Sequence, residues 1–495
     1  MSSIDEIRDI RIKKLELLKQ KGIDPYPAES KRELSLEKVS SSFTDLEKSG
    51  EEKWIGGRIM SVRGQGAIIF ITLNDGTSHF QGLLKKDSLG DEKFDFFNEV
   101  VDIGDFIEVF GNFFTTKRGE KTIETKDWRM LSKSLRPLPE KWHGLQDVEE
   151  RFRKRYLEIL TDKEVFDRFV MRSKIIKEIR KFFDDLGFLE IETPILKNNA
   201  GGAMAEPFIT HHNDLDINMK LRISLEIEHK MLMAGGFPAV YEIGKNFRNE
   251  GSDPTHIQEF TMMEWYSAYH TLEENITWTE NLLKYLAKEV VGKSNFIVYD
   301  KDGEGVEVDF DTNWPRLKFS DLLLEYTKID MVKITLPDLQ KEALKYGIGK
   351  DELKNIGRAN LLDFIFKHAV RSNLINPVFV TDYPGELKPL ANQNDDGTAK
   401  VAQLIIGGAE ITNQYSELTD PLKQYDLLKA QAEAKSKGDR EAMEFDEEFI
   451  TAMEYGMPQM TGFGMGIDRL MAIFFEQKNL RETIFFPIMR PRPND

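Results

Sequence analysis

The sequence predicts an α+β protein, in which a small β-barrel precedes a larger domain built on a mostly antiparallel sheet. Three observations support this fold class. Five short β-rich runs separated by turn residues crowd into residues 53–136. From residue 151 onward, long amphipathic helices alternate with strands of alternating or apolar character. The chain has 495 residues, of which 40% are hydrophobic, and such a length corresponds to about two to four domains.

The composition excludes several classes of site. The chain has no cysteine, which rules out disulfides, thiolate zinc sites and cysteine nucleophiles and fits a reducing compartment. No apolar run reaches the roughly 18 residues of a membrane span, and the first residues lack a secretory signal pattern. We therefore expect a cytoplasmic protein that does not span a membrane. The formal net charge of −17 disfavours general nucleic-acid binding, so that any RNA site must be a local patch.

Residues 1–52 are predicted to form a helical extension. Apolar residues such as Ile7, Leu15 and Leu18 recur at roughly helical spacing among Arg and Lys, and Gly22 ends the pattern. Such a helix suits a solvated surface element and equally a basic arm that touches RNA. The sequence leaves both interpretations open.

Residues 53–136 are predicted to form a five-stranded Greek-key barrel of the OB type. Turn signals such as Asn-Asp-Gly at 74–76 and Lys-Arg-Gly at 117–119 separate the strands. Barrels of this type often bind oligonucleotides on one sheet face, although some only pack against a neighbouring domain. The five predicted strands cover residues 54–62, 67–73, 78–84, 106–115 and 121–131.

Beyond a Pro-containing linker at 137–150, residues 151–495 are predicted to form one α+β domain. An apolar stripe at helical spacing predicts a helix over 165–186, and a strand follows at 188–196. Between about 291 and 375 we predict only a partly helical insertion. Further strands are predicted at 219–224, 238–243, 259–266, 377–381 and 402–415, and further helices at 270–291, 319–346, 351–372 and 421–439.

The segment 241–266 has the pattern strand, polar loop, strand, and its loop carries Arg248, Glu250 and His256. On the returning strand every second residue points to the same face, so that a carboxylate shares a face with two aromatic rings. Burying an unpaired carboxylate is costly, and a cationic ligand would remove the conflict. The residues on that face are Phe260, Met262, Glu264 and Tyr266.

A second segment, 401–418, places polar side chains in an apolar strand beside Gly407 and Gly408, which we interpret as a bulge. Any one of these polar residues could end a half-exposed strand. Several together indicate a polar site. They are Gln403, Glu410, Asn413 and Glu417.

A third segment, 461–475, is a glycine-rich strand that runs directly into an apolar helix. Its Gly-x-Gly-x-Gly pattern at 462–466 permits close backbone approach, and Arg469 lies in the first helical turn, where anions are favoured. A dinucleotide fingerprint would require an early βαβ unit with an acid about 20 residues on. This copy lies near residue 495 without such a unit, so we interpret it as another kind of anion site.

The helix at 165–186 with its following strand, the 241–266 segment and residues 462–475 resemble motifs 1, 2 and 3 of class II aminoacyl-tRNA synthetases, in that order. The resemblance implies a catalytic domain on a mostly antiparallel sheet, preceded by an OB-fold anticodon-binding domain. It also implies a homodimer formed through motif 1.

Within this class, short strings resemble the bacterial-type lysyl enzymes rather than the aspartyl or asparaginyl ones. They are Phe-Arg-Asn-Glu-Gly at 247–251, Glu-Phe-Thr-Met-Met-Glu at 259–264 and Ser-Glu-Leu-Thr-Asp-Pro at 416–421. The resemblance implies a lysine–tRNA ligase, which forms a lysyl-adenylate from L-lysine and ATP and then charges tRNA(Lys). Pyrophosphate and AMP would be the products.

The resemblance also implies a role for each site residue, with Arg248 and Arg469 as the catalytic residues. Glu264, Tyr266 and Glu417 would hold the ε-ammonium of lysine. The α-ammonium would go to Glu226 and the Gly202 backbone, and the carboxylate to Arg248 and Asn413. The ATP site would consist of Arg248, Glu250, His256, Phe260, Glu410 and Arg469.

Two further expectations concern metal and RNA. The family holds Mg²⁺ mainly through two acids seven residues apart; Glu410 matches the second, but Gln403 stands at the first. This departure leaves the number of metal ions open. In the barrel, Arg58, Phe70 and Gln81 match the anticodon-reading positions, with Phe70 as an ordinary core residue as the alternative.

Two other hypotheses compete with a complete synthetase. Gln403 is also consistent with a synthetase-like protein that makes an adenylate for another acceptor or only binds a ligand. An RNA-binding module fused to an unrelated ligase would not explain why the three motifs occur in order. Three smaller departures are interpreted as lineage variation, and they are Glu206, Leu225 and the pair at 257–258.

Overall fold

A computed structural model describes residues 3–139, 147–203, 205–300, 303–349, 353, 356–436 and 443–492. The chain divides into two compact units, residues 1–146 and 147–495. Half of the predicted linker at 137–150, residues 140–146, lies outside the described residues. The domain boundaries drawn from the sequence therefore stay predictions.

The first unit contains a closed barrel with the strand order β1-β2-β3-β5-β4. Neighbouring strands are antiparallel except β3 and β5, which are parallel. Inward-facing Ile69, Ile71 and Leu73 alternate with more exposed residues along β2, as a half-buried strand requires. The strands are β1 (Glu52–Gln65), β2 (Ile68–Asn74), β3 (His79–Lys85), β4 (Phe106–Thr115) and β5 (Lys121–Ser132).

The N-terminal helix packs onto this barrel. Its first turn is closed by a capping box between Ser3 and Glu6, and Leu18 is fully buried in the barrel core. Arg11 is also buried, and its guanidinium donates to the carbonyl oxygens of Ile103 and Arg136 at 2.9 and 3.0 Å. The helices of this unit are α1 (Ile4–Gln20), α2 (Leu36–Ser41), α3 (Phe43–Ser49), α4 (Lys86–Leu89) and α5 (Asp91–Val100).

The second unit is built on an eight-stranded sheet with the order β14-β15-β16-β17-β18-β11-β10-β6. Neighbouring strands are antiparallel except for the outermost pair at each edge, so the predicted α+β fold class is confirmed. The strands of this unit are β6 (Leu189–Glu190), β7 (Leu196–Lys197), β8 (Ile209–His212), β9 (Ile217–Leu221), β10 (Ala239–Phe247), β11 (Glu259–Ala268), β12 (Asn295–Tyr299), β13 (Gly305–Asp309), β14 (Arg316–Lys318), β15 (Val378–Pro384), β16 (Thr398–Ile406), β17 (Ala409–Ser416) and β18 (Met460–Gly466).

Helices pack against both faces of the large sheet, and a π-helical turn, Leu286–Val291, follows one of them. Within the part of the chain that the structure describes, none is both long and apolar enough to cross a membrane. The helices are α6 (Val148–Arg153), α7 (Arg155–Thr161), α8 (Lys163–Asp185), α9 (Glu226–Ala234), α10 (Leu272–Tyr285), α11 (Phe319–Thr327), α12 (Leu336–Leu344), α13 (Arg358–Ala369), α14 (Pro421–Ser436), α15 (Glu447–Glu454) and α16 (Ile467–Phe474).

The two faces of the sheet differ in character. On one face, Trp265 and Phe463 stack with their ring centroids 3.2 Å apart and pack in the main core with residues of α8, α10 and α16. The opposite face carries a row of directly paired residues that runs from Glu242 through Glu264, Gly464 and Asn413 to Gln403. Because side chains alternate along each strand, the same pairing that buries the aromatic rings turns these polar residues to the other side.

Two strand predictions were wrong in part. Residues 402–415 form two strands rather than one, because Gly407 and Gly408 both have positive φ and form the turn of a hairpin. Residues 188–196 form strand only at their ends. In between, the amide of Thr193 donates to the Glu242 carboxylate instead of to a neighbouring strand.

Several predicted helices are shorter or divided. The predicted helix over 319–346 is α11 and α12, and the one over 351–372 is α13, which begins at Arg358. The insertion at 291–375 contains, besides these helices, the hairpin of β12 and β13 and the edge strand β14. The separate helices have apolar residues at the same helical spacing, so that periodicity alone joins them across the loop residues between them.

Candidate active site

A cavity of about 340 Å³ opens on the polar face of the large sheet. Its wall combines residues of β11, β17 and β18 with the first turns of α9 and α16, the loop at 248–257 and the segment 387–390. Most sequence-predicted site residues meet here. Those that line it are Gly202, Glu226, Arg248, Glu250, His256, Phe260, Glu264, Tyr266, Glu410, Asn413 and Arg469.

Glycines of β18 create the floor of this cavity. Gly462 and Gly464 lie between the side chains of β11 and β17 in the paired rows of the sheet. A Cβ at Gly462 would collide with the Glu417 carboxylate and approach the Tyr266 ring to 2.5 Å. A Cβ at Gly464 would meet only the Met262 methyl at 3.2 Å and the Glu264 side chain at 3.8 Å. The motif therefore opens the space above the sheet, where the Glu417 carboxylate lies over Gly462.

We expect these two glycines to respond differently to alanine. Gly462→Ala should lower the free energy of unfolding by about 1–3 kcal/mol, because a packed site has no room for the methyl group. Gly464→Ala should leave thermal unfolding unchanged and raise the KM of a substrate bound in the cavity about tenfold, because its methyl group projects into the cavity. Calorimetry and steady-state kinetics on both variants check this, and an equal loss of stability in both would contradict it.

Glu264 is a buried carboxylate at the centre of the floor. Among the described residues its donors are neutral: the Ser224 hydroxyl at 2.9 Å, the Leu225 amide at 3.1 Å and the Tyr266 hydroxyl at 3.4 Å. Its neighbour in the same row, Glu242, is instead paired with Arg222 at 2.7 Å and with His229 at 3.1 Å. The chain thus neutralises one acid of the row and leaves the other with neutral partners only.

Two further buried acids, Glu226 and Glu417, are neutralised in part by a lysine of the chain. The buried ammonium of Lys230 lies 2.5 Å from Glu226, one turn earlier in α9, and 2.6 Å from Glu417. Burial raises the pKa of Glu417 to about 8, with Lys230 opposing the shift and Glu226 and Glu264 adding to it. Burial likewise raises the pKa of Glu226.

The position of Glu417 differs from the one expected. It was predicted to hold a substrate ammonium, but it is fully buried and does not line the cavity; its nearest cation is Lys230. Sequence reasoning missed Lys230. A signal was present, because Glu226 and Lys230 stand four residues apart on a helix, where side chains meet.

Arg248 projects into the cavity from the end of the β10 strand. Its guanidinium lies 5.2 Å from the centroid of the Phe260 ring, and Nε and Nη2 are each 3.4 Å from the carbonyl oxygen of Ile223. Burial lowers the pKa of this guanidinium, while Glu250 and Glu264 oppose the shift. Within the described part of the chain no carboxylate forms an ion pair with it, so it can accept an anionic ligand.

Arg469 and His256 form a hydrogen-bonded pair at the cavity rim. Arg469 donates through Nη1 to the Glu410 carbonyl at 3.1 Å, and its Nη2 lies 3.2 Å from Nε2 of His256. The other ring nitrogen of His256 lies 2.9 Å from the Asp253 carboxylate. Since a guanidinium can only donate, Nε2 accepts and Nδ1 carries the proton in this arrangement.

Family comparison decides the class of this site. Residues 147–490 match the family model described as tRNA synthetases class II (D, K and N). The chain belongs to this family. Residues 53–131 match a second model, described as an OB-fold nucleic acid binding domain of the anticodon type. Both parts of the architecture expected from the sequence are confirmed.

Curated relatives place this class II synthetase among the lysine–tRNA ligases. It is 41% identical over 492 residues to the lysine–tRNA ligase of Carboxydothermus hydrogenoformans, covering 99% of each chain. The enzyme of a Synechococcus species is also 41% identical, with 99% of this chain and all of the relative covered. That of Thermotoga maritima is 40% identical, over 99% of this chain and 97% of the relative. The predicted resemblance to bacterial-type lysyl enzymes is confirmed.

The donor set of this synthetase fits a metal ion only in part. Glu410 lines the cavity, but buried Gln403 does not, and its Nε2 lies 3.5 Å from Oδ1 of Asn413. Among the described residues no three His, Asp or Glu side chains converge to form a metal cage. One carboxylate still suits Mg²⁺ that takes its other ligands from phosphates and water.

The three predicted anticodon residues lie on one face of the barrel. Phe70, Thr72 and Asn74 are alternate residues of β2 and point to the same face. Arg58 of β1 pairs with Asn74, and Gln81 of β3 pairs with Thr72. Phe70 is half-buried and outside the barrel core, which disfavours the purely structural interpretation. Arg58 stacks 4.3 Å from the Phe106 ring, and Gln81 donates to the Thr122 hydroxyl at 2.9 Å.

Proposed function

We propose that this chain attaches L-lysine to tRNA(Lys) through a lysyl-adenylate. The observation that carries the proposal is the charge of the site: of three buried carboxylates, Glu226 and Glu417 pair with the ammonium of Lys230, and Glu264 has no ion-pair partner among the described residues. When all three acids are ionised, two negative charges are left over, and a lysine molecule brings two ammonium groups that favour this ionised state. A neutral side chain would leave a buried charge unpaired, which is costly.

Each reactant group has a partner in the cavity. Glu264 and Tyr266 would hold the ε-ammonium, with Glu417 beside the Tyr266 ring over Gly462, and Glu226 with the Gly202 backbone would hold the α-ammonium. Arg248 and Asn413 would bind the carboxylate.

The ATP side is proposed to lie toward the motif 2 loop. Phe260 would stack on adenine, and Arg469 would face it from the other side, near the γ-phosphate. Glu250 and His256 would lie beside the phosphates. A Mg²⁺ ion held by Glu410 would neutralise phosphate charge. The lysine carboxylate attacks the α-phosphorus and pyrophosphate leaves, so that positioning and charge neutralisation carry the step without a protein nucleophile.

The remaining proposals concern partners. Arg58, Phe70 and Gln81 would stack on and read bases of the anticodon loop, each stacked base contributing about 1–3 kcal/mol. A homodimer through α8 is supported by apolar side chains that stay exposed on and beside this helix, such as Val170, which is 54% exposed. A tRNA-charging enzyme is expected in the cytoplasm.

Lysine-dependent exchange between ATP and pyrophosphate tests the proposal. The exchange should occur with lysine, weakly with ornithine, which lacks one methylene, and not with arginine or aspartate. Charging of tRNA(Lys) should follow. Exchange without charging would favour an adenylate made for another acceptor, and no exchange with any amino acid would overturn the proposal.

Lysine binding should release protons at neutral pH. The pKa of Glu417 is about 8 in the ligand-free protein, and an incoming ammonium favours the ionised acids of the cluster, which lowers this pKa. The free protein then holds more protons than the complex, so that lysine affinity should rise between pH 6 and pH 8, by up to about tenfold per unit.

Titration calorimetry in phosphate and in Tris at pH 7 measures this release, since the two buffers differ in ionisation enthalpy. Glu417→Gln should abolish most of the buffer dependence. An affinity for lysine that stays constant between pH 6 and pH 8 would contradict the loss of a proton from the buried acids when lysine binds.

A further inference from the structure

Lys388 is a cavity-lining cation to which neither the motifs nor the comparisons assign a role. It follows the short helical turn Gly385–Leu387 and is half-buried at the cavity wall. Its Nζ lies 5.3 Å from the centroid of the Tyr383 ring and 5.8 Å from that of Tyr415. Two aromatic rings therefore hold its ammonium group in place.

The charge of Lys388 is not balanced by the protein. Among the described residues no carboxylate lies within ion-pairing distance of its Nζ, in contrast to Lys230, which contacts two. Burial lowers the pKa of Lys388, and of the surrounding acids Glu410 opposes the shift most strongly. The ammonium thus lines the same cavity as Glu410, against the rings of Tyr383 and Tyr415, with hydrogen-bond donors to spare.

The same part of the sheet lacks the acid that the family uses. Gln403 is neutral, is buried and does not line the cavity, so Glu410 is the acid that remains there for a metal ion. The reactants, however, bring a triphosphate and a carboxylate, and this negative charge must be neutralised by cations.

We propose that Lys388 binds an oxyanion of the bound reactants, and so supplies beside Glu410 a positive charge that a second acid-held metal ion would otherwise supply. This inference rests on the proposed function, because that function brings the oxyanions into the cavity. A phosphate of ATP is the favoured source, because Lys388 shares the cavity with Glu410, which would hold the metal ion that accompanies the phosphates. The carboxylate of the amino acid is the other source with the same chemistry.

Binding measurements on Lys388→Met separate these sources. Kd values are measured by titration calorimetry for ATP, for lysine and for lysinol, which has a neutral hydroxymethyl group in place of the carboxylate. If the oxyanion is a phosphate, the Kd for ATP should rise about 10- to 100-fold, as for the loss of a charge-assisted hydrogen bond, with little change for lysine. If it is the carboxylate, the Kd should rise for lysine and not for lysinol.

The metal dependence gives a second measurement. In the Lys388→Met variant, ATP binding should require more Mg²⁺, and Gln403→Glu in the same background should shift the Mg²⁺ midpoint back toward wild type. Lys388→Arg keeps the charge and should bind ATP within a few-fold of wild type, which also covers the case in which the Met variant does not fold. Lys367→Met is the matched control, since Lys367 pairs with Asp363 at 2.6 Å and does not line the cavity.

The proposal is overturned if folded Lys388→Met binds ATP and lysine within twofold of wild type. It is also overturned if the Lys367 control loses as much affinity as Lys388→Met. These outcomes differ from a failure of the proposed function, in which the wild-type protein itself shows no lysine-dependent exchange.

Discussion

Arg248→Ala is expected to lower the rate of lysine-dependent pyrophosphate exchange by about 100- to 1,000-fold. Arg248 is the cavity-lining guanidinium placed between the Phe260 ring and the Ile223 carbonyl, without a carboxylate partner among the described residues. Under the proposed mechanism it touches both the attacking carboxylate and the α-phosphate. Its removal therefore takes away both orientation and charge neutralisation in one step.

Two companion variants make this measurement specific. Arg248→Lys keeps the charge but not the planar fork, so its rate should lie between those of wild type and the alanine variant. Lys245→Ala changes a cation on the same strand that is paired with Glu259 at 3.4 Å on the surface, and it should exchange at the wild-type rate. A rate for Arg248→Ala within tenfold of wild type would show that another group activates lysine.

Lys230→Met is expected to lower the free energy of unfolding by about 3–5 kcal/mol at pH 8, because it leaves two buried carboxylates without their cation. Lys230 is fully buried, and Glu226 and Glu417 lie within 2.6 Å of its Nζ. Chemical denaturation of the ligand-free protein measures the loss.

The loss should shrink as the pH falls. Without Lys230 the pKa values of both acids rise further above those of the unfolded chain, so that the folded variant binds more protons than the unfolded chain and loses stability as the pH rises. At pH 5 both acids are protonated in the folded variant and the difference from wild type should be small. Lys230→Met combined with Glu417→Gln should regain part of the stability at pH 8. No gain in that double variant would contradict an ion group of Lys230, Glu226 and Glu417.

The sequence was informative wherever a local pattern has one physical solution. The alternation at 259–266 correctly placed Phe260, Glu264 and Tyr266 on one face, because a strand has a period of two in any context. The prediction over 402–415 failed because two glycines in an apolar run suit a bulge as well as a turn. Only the pairing of β16 with β17 decides between them.

For the metal site and the cavity-lining cations, too, the sequence shows the residue types and only the structure shows their positions. The exchange of an acid for Gln403 is visible in the sequence, but that this side chain is buried beside Asn413 and outside the cavity lining is not. Lys388 lies in a stretch without a motif of its own, and its place at the cavity wall follows from packing against Tyr383 and Tyr415.

By itself, the sequence determined the fold class, most of the strands and helices, the three motifs and the acid that shares a strand face with aromatic rings, since these depend on residue type and short spacing. Tertiary structure alone decided which of those acids the chain neutralises. Lys230 and Glu417 are far apart in the chain and meet only when α9 packs over the sheet, and charges interact through space rather than along the sequence. Lys230 pairs with Glu226 and Glu417 but not with Glu264. Among the described residues Glu264 therefore keeps only neutral hydrogen-bond donors, which makes the cavity receptive to a cation.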